Sequence, residues 1–376
     1  PEAAAGIEIE IEDTALCTRY VGRIVRGLNI GPSPQWMQNY LLAAGMRPIN
    51  NLVDISNFVM LEYNQPLHIF DYDQLRGQRV IVRAARPHET MQTLDGKQRT
   101  FTAGEILICD AERAVCIGGV MGGRETEVTE QTQNVLIESA CFHPASIRRT
   151  ARRHGIPSEA EARFEKGVDA AACDLAARRA AQLMVRYCGG VADRGAVEAR
   201  AEQYAEGFPQ NEILLRPERV NQILGTAFSA AEISDVMRRL GFGLESRDDG
   251  LLVRAPSYRI DISLEIDLIE EVARLCGYHQ IPQTLPATSA QGGRSPRQQL
   301  MLSLKRAAAA HGLFETLNYS FISPREADRL RLPPDHAWRQ TLNIANPLSE
   351  EQSVMRRSLL PGLLNTAARN QSRRNL

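Results

Sequence analysis

Between Val80 and Ile137 the chain reads as short apolar runs broken by turn residues. Such runs, bounded by glycines and aspartates, fold as strands packed in a sheet. "EILICD" (Glu105 to Asp110), "AVCIGGVMGG" (Ala114 to Gly123) and "NVLIESA" (Asn134 to Ala140) are three of them, and Asp95-Gly96 signals a hairpin turn. Upstream, "IEIEIED" (Ile7 to Asp13) alternates apolar and acidic residues, and "RYVGRIVRGLNI" (Arg19 to Ile30) reads as a further strand. Ser33-Pro34 reads as an N-cap followed by a helix-starting proline, with Gly45 as the stop.

The period then changes to helical at Pro144. "SEAE" (Ser158 to Glu161) has the spacing of a capping box, and an Ala-rich helix is expected from about Ala170 to Tyr187, stopped by Gly189-Gly190. A polar stretch near Arg200 marks a domain boundary. Beyond it the order is helix (Pro217 to Leu224), helix opened by the "SAAE" box at Ser229, hairpin at Asp249-Gly250, and an acidic helix. That order is winged-helix-like. A third unit opens with a helix from Ser295 to His311, continues with a strand over "ETLNYSFIS" (Glu315 to Ser323), and ends in a helix from Pro361. No closing elements follow, so this unit is expected to be truncated. A length of 376 residues suits two or three domains.

A formal net charge of −1 excludes a generally basic nucleic-acid coat, and no apolar run is long enough to span a bilayer. Seven cysteines without C-x-x-C spacing suggest neither a disulfide framework nor a zinc site, and a cytoplasmic location follows. "DISLEIDLIEEVAR" (Asp261 to Arg274) concentrates carboxylates. On a helical wheel Asp267, Glu270 and Glu271 share one surface, which Asp261 approaches from the preceding strand end, while Leu268, Val272, Leu275 and Cys276 cover the opposite face. The cluster reads as a solvated acidic face or as oxygen ligands for a hard cation such as Mg²⁺.

"INNLVDISNFVMLEYNQPLHIFD" (Ile49 to Asp71), "IGGVMGG" (Ile117 to Gly123), "VLIESACFHPASIRRTARRHGIPSEAEARFEKGVD" (Val135 to Asp169), "SYRIDISLEIDLIEEVARLCGYHQIP" (Ser257 to Pro282) and "NPLSEEQSVMRRSLLPGLL" (Asn346 to Leu364) together resemble the beta subunit of bacterial phenylalanine–tRNA ligase. The resemblance spans essentially the whole chain. It implies an α+β multidomain fold: a mixed α/β editing domain at 1–200, a winged-helix-like α+β domain at 201–286, and a truncated class II synthetase-like α+β domain at 287–376. It also implies a fragment without the family's N-terminal tRNA-binding and C-terminal anticodon-binding modules. The alpha subunit, in an (αβ)₂ assembly, would activate phenylalanine and charge tRNA(Phe), and this chain alone would not aminoacylate.

The resemblance makes Asp261, Asp267, Glu270 and Glu271 ligands of a Mg²⁺ shared with the alpha subunit, and leaves Glu265 solvated. It places Ser56, Asn57, His68, Gly122, Glu138, Ser158 and Ala160 in a pocket that hydrolyses misacylated Tyr-tRNA(Phe). Glu138 would accept the phenol hydroxyl of tyrosine, and Gly122 and Ala160 would give room. Ser56 stands where the family commonly has Thr. The residues alone admit plainer roles: a structural His68, an outward-facing Glu138, a turn at Gly122 and an N-cap at Ser158. Arg148, Arg149, Arg152 and Arg153, with His154, form either a solvated helix face or a contact for the tRNA acceptor end. No Ser-His-Asp or Cys-His arrangement supplies a nucleophile or a general base, so a positioned water is the expected attacking group. A non-enzymatic winged-helix nucleic-acid-binding protein and a pure scaffold for the alpha subunit are the competing readings.

Overall fold

The computed structural model describes residues 6–208, 210–285, 287 and 292–374. The expected domain ends at Pro286 and Leu376 lie outside the described residues. The chain divides into two compact units, 1–283 and 284–376.

The first unit opens with strands β1 (Glu8–Ile11) and β2 (Cys17–Arg26), then helices α1 (Gln35–Ala43) and α2 (Asn51–Tyr63). Strands β3 (Leu67–Asp71), β4 (Arg79–Ala84), β5 (Thr90–Gln92), β6 (Gln98–Thr100), β7 (Ile106–Cys109), β8 (Ala114–Ile117), β9 (Met121–Gly122) and β10 (Val135–Phe142) follow. Helices α3 (Pro144–His154), α4 (Glu159–Phe164) and α5 (Cys173–Cys188) lead to β11 (Val191–Ala192) and β12 (Val197–Arg200). One sheet has the order β1-β4-β7-β8-β9; the other runs β11-β2-β10-β3, with β12 also on β2.

Strand β10 organises this region because both of its faces are buried. Successive side chains point to opposite faces. Leu136, Ala140 and Phe142 join a core with Ile24, Phe70 and Ile108, whereas Val135 and Ile137 pack with Val25, Ile55 and Met184 of a second core. Glu138 alternates with the first set, so it points into the space between the two sheets rather than outward. Strand β2 stops at Arg26, four residues before its expected end, because Gly27 turns to φ +67°.

Two cap expectations are corrected. Ser33 does not cap α1: its hydroxyl donates to Asp54 Oδ2 at 2.5 Å, and the residue before the helix is Pro34, which has no side-chain cap. Ser158 does cap α4, accepting from the Glu161 N–H at 3.0 Å, but no reciprocal bond from the Glu161 side chain accompanies it among the described residues.

The remainder of the first unit follows the expected order with one added strand. Strand β13 (Glu212–Leu215) precedes α6 (Pro217–Leu224), α7 (Ala230–Arg239), the hairpin β14 (Gly243–Arg247) and β15 (Gly250–Arg254), and α8 (Glu265–Cys276). The sheet order is β13-β15-β14. Ser229 and Glu232 cap α7 reciprocally, and Gly225 ends α6 in the left-handed region.

The second unit contains α9 (Pro296–Ala310), β16 (Phe321–Ile322), α10 (Glu326–Arg329), β17 (Val354–Met355) and α11 (Leu360–Ser372). The strand expected over 315–323 shrinks to Phe321–Ile322, which pair with Met355 and Val354. A strand persists only where its backbone finds a partner, and β17 is the one such partner among the described residues. The chain as described is therefore mixed α+β. No described helix is long and apolar enough to cross a membrane.

Candidate functional site

A cavity of about 470 Å³ lies between the two large sheets of the first unit. Its wall includes Ser56 and Asn57 of α2, His68 of β3, Gly122 of β9, Glu138 of β10, and Ser158 and Ala160 at the start of α4. All seven pocket residues expected from the sequence thus meet at one place. The remaining wall is largely apolar, with Met46, Ile49, Met60, Leu94, Val120 and Phe164 among its members. The volume lies within the roughly 300–1,000 Å³ usual for small-ligand sites, and the apolar lining with few polar groups is their usual chemistry.

Local structure explains how these side chains arrive. Asn50 caps α2 by accepting from the Val53 N–H at 2.9 Å, and Asn64 ends that helix at φ 55°. Strands β3 and β10 are antiparallel, and Glu138 is directly opposite His68. Gly122 has a steric reason: a Cβ there would stand 2.5 Å from His68 Cε1. The missing side chain makes room for the imidazole.

The hydroxyls are less available than the sequence suggests. Ser56 Oγ donates to Val53 O at 2.8 Å, within its own helix. Ser158 Oγ is engaged as the α4 cap. Of the seven, the polar groups left for chemistry are Glu138, His68 and Asn57, and exposed Glu159 adds a carboxylate at the cavity wall. Sequence reasoning missed Tyr20, whose hydroxyl donates to Glu138 Oε2 at 2.7 Å. It carries no motif signal and reads as one more apolar strand residue.

Burial sets the charges. Glu138 is 3% exposed. Desolvation pushes its carboxyl up from 4.5 to about 7, against the Tyr20 bond, which pulls it down. Desolvation pushes His68 down from 6.5 to about 4, so the imidazole is neutral at pH 7. His68 is partly buried and lines the cavity. Phe70 meets that ring edge-on at 4.5 Å.

Opposite pH slopes of stability follow. Between about 4.5 and about 7 the native state keeps a proton on Glu138 that the unfolded chain releases, so stability falls as pH rises. Between about 4 and about 6.5 the unfolded chain binds a proton that native His68 refuses, so stability rises with pH. The two contributions oppose each other. Relative to the parent, Glu138→Gln is expected to gain a rising slope over that window and His68→Gln a falling one. Each pKa unit is worth about 1.4 kcal/mol, so the Glu138 contribution is at most about 3.5 kcal/mol. Urea unfolding of the two variants at several pH values checks this, and equal slopes in both would contradict the assignment.

The acidic cluster is arranged differently from the expectation. Asp261 accepts from Arg259 Nη2 at 2.6 Å, and the same nitrogen lies 3.1 Å from Glu271 Oε1. Arg274 also bonds Glu271, at 2.5 Å. Asp267 Oδ2 accepts the backbone N–H groups of Ser263 and Leu264 at 2.9 and 2.7 Å. Glu265, expected to be solvated, pairs with Arg216 at 2.5 Å. Glu271 is buried with Leu268 and Val272, Glu270 is exposed, and Asp261 and Glu271 converge on Arg259. Burial raises Glu271, but bonds from Arg274 and Arg259 overcome it and hold its pKa below the usual range. Among the described residues no three His, Cys, Asp or Glu side chains form a group that could hold a metal ion.

The basic run lies on α3. Arg153 and His154 both bond Glu105, at 2.7 and 2.9 Å, and Arg148 is 4.0 Å from Glu165. Arg149 and Arg152 are exposed and form no ion pair among the described residues.

Comparison with known proteins places these features in a family. Residues 16–189 match the B3/4 domain, 213–278 the tRNA synthetase B5 domain, and 281–376 the phenylalanyl tRNA synthetase beta chain CLM domain. The phenylalanine–tRNA ligase beta subunit of Moorella thermoacetica is 52% identical over 378 residues, covering 100% of this chain and 46% of the relative. Those of Carboxydothermus hydrogenoformans and Geobacter metallireducens are 40% and 41% identical, covering 98% and 96% of this chain and 46% and 45% of theirs. A solved N-terminal fragment of the phenylalanyl-tRNA synthetase beta subunit from Pyrococcus horikoshii aligns at 14% identity and a TM-score of 0.36, over 72% of this chain and 75% of its own. The chain spans a little under half the length of the curated relatives it matches, and over that span it belongs to the phenylalanine–tRNA ligase beta-subunit family.

Proposed function

We propose that the cavity between the two large sheets is an editing site that hydrolyses tyrosine from misacylated tRNA(Phe), within a phenylalanine–tRNA ligase whose alpha subunit carries out aminoacylation. The observation that supports this most is the meeting of Glu138 and His68 in one largely apolar cavity of aromatic amino-acid size. The apolar wall takes the ring and Glu138 takes the phenol hydroxyl. Phenylalanine would leave a buried acceptor unpaired, which disfavours it. Neutral His68 orients the attacking water. An imidazole with a pKa near 4 is a weak base, so positioning is its main contribution. The test is whether the two-subunit enzyme deacylates Tyr-tRNA(Phe) faster than Phe-tRNA(Phe).

The finer assignments belong to the same reading. We assign 1–200 to the editing domain, 201–286 to a winged-helix-like domain and 287–376 to part of a class II synthetase-like domain. An (αβ)₂ assembly in the cytoplasm goes with it. Exposed Arg149 and Arg152 are the better candidates in the basic run to meet the acceptor end of tRNA, since Arg153 is engaged by Glu105.

Magnesium fits less well. The Arg259 guanidinium lies between Asp261 and Glu271, where a shared cation would have to bind, and no step of the proposed reaction passes through a metal ion. Mg²⁺ at about millimolar concentration is therefore expected to leave the melting temperature of the isolated chain unchanged, since a ligand stabilises only when it exceeds its dissociation constant. A clear upward shift would show that these carboxylates rearrange into a site without the alpha subunit.

A further inference from the structure

The cavity's selective carboxylate is held by a residue that does not line the cavity. Tyr20 of β2 is wholly buried, sits opposite Ala140 of β10, and donates to Glu138 Oε2. Glu138 Oε1 has no protein partner among the described residues, and Glu138 is part of the cavity wall. The other titratable groups around it supply no cation at neutral pH. His68 on β3 is neutral, burial holds the Cys17 and Cys116 thiols of β2 and β8 protonated, and Glu159 of α4 stands at the cavity wall.

We propose that Tyr20 is a positioning residue for tyrosine selection: by engaging Oε2 it fixes the carboxylate so that Oε1 is the acceptor presented to a substrate phenol. This rests on the reading of the cavity as a tyrosine-selective editing site. The Tyr20 bond also favours the ionised carboxylate, against burial. An ionised, unpaired acceptor rejects phenylalanine more strongly than a neutral carboxyl does. Selectivity therefore rises with pH as Glu138 ionises. Without Tyr20 no other described hydrogen bond offsets desolvation of Glu138, and the ionisation moves to higher pH.

The experiment compares the parent enzyme with Tyr20→Phe in the complete two-subunit protein, following Tyr-tRNA(Phe) and Phe-tRNA(Phe) deacylation from about pH 6 to about pH 9. In the variant the rising limb of selectivity is expected to move up by about one pH unit or more, with roughly tenfold lower selectivity at pH 7. The loss should fall mainly on KM for Tyr-tRNA(Phe) and recover towards the alkaline end. Glu138→Gln keeps Tyr20 partnered and removes the titration, so its selectivity should not vary with pH. An unchanged profile in Tyr20→Phe overturns the proposal, as does an equal loss on both substrates at every pH. A Glu138→Gln enzyme that still titrates near neutrality overturns it too. A parent enzyme without selectivity would instead refute the editing reading on which the proposal stands.

Discussion

Glu138→Ala is expected to slow Tyr-tRNA(Phe) deacylation on the order of ten- to a hundredfold while changing any residual hydrolysis of Phe-tRNA(Phe) much less. The magnitude comes from one hydrogen bond between a hydroxyl and a charged acceptor, worth roughly 1.5–3 kcal/mol. The difference between substrates comes from geometry. Only tyrosine carries the group that meets Glu138, so only tyrosine loses a partner. The substitution also strands the buried Tyr20 hydroxyl. An unsatisfied buried hydroxyl costs about 1–3 kcal/mol of stability, which a melting curve reads separately. Glu138→Gln is the control that keeps a partner for Tyr20 and a polar group for the phenol, and its loss should be smaller. If Glu138→Ala slows both deacylations equally, Glu138 is catalytic or structural and its recognition role is wrong.

Ala160→Trp is expected to lower both deacylations together, by on the order of a hundredfold or more, because misplacing the reacting ester even slightly is that costly. Ala160 is partly buried in the cavity wall, near the start of the short helix α4. An indole there fills space in a cavity of about 470 Å³ that must hold an aromatic side chain and its ester. It changes volume without changing the polarity at Glu138. The two variants thus separate recognition from access. Loss of tyrosine hydrolysis alone in Ala160→Trp would show that phenylalanine is handled elsewhere.

The sequence made the site more legible than its supports. Each of the seven expected pocket residues lines the cavity, because a motif resemblance transfers positions directly. It does not transfer what each hydroxyl is bonded to: Ser56 and Ser158 are occupied by backbone. Helix α2, which carries Ser56 and Asn57, was not read from the sequence, because its closely spaced apolar residues hide the helical period. Tyr20 was invisible because only a strand register brings it to Glu138. The arginine partners of the α8 carboxylates were hidden for a related reason. A wheel places residues by angle alone and does not show that Arg259 and Arg274 neutralise Glu271 and let it be buried. The strand expected over 315–323 shows the same limit, since pairing partners are not encoded within the stretch itself.

The most direct test is a crystal structure with tyrosine bound. Density for the amino acid is expected between the two large sheets of the first unit, with the phenol oxygen within hydrogen-bond distance of Glu138 Oε1 and Tyr20 still on Oε2. Tyrosine bound elsewhere, or bound here with its hydroxyl turned away from Glu138, would contradict this expectation.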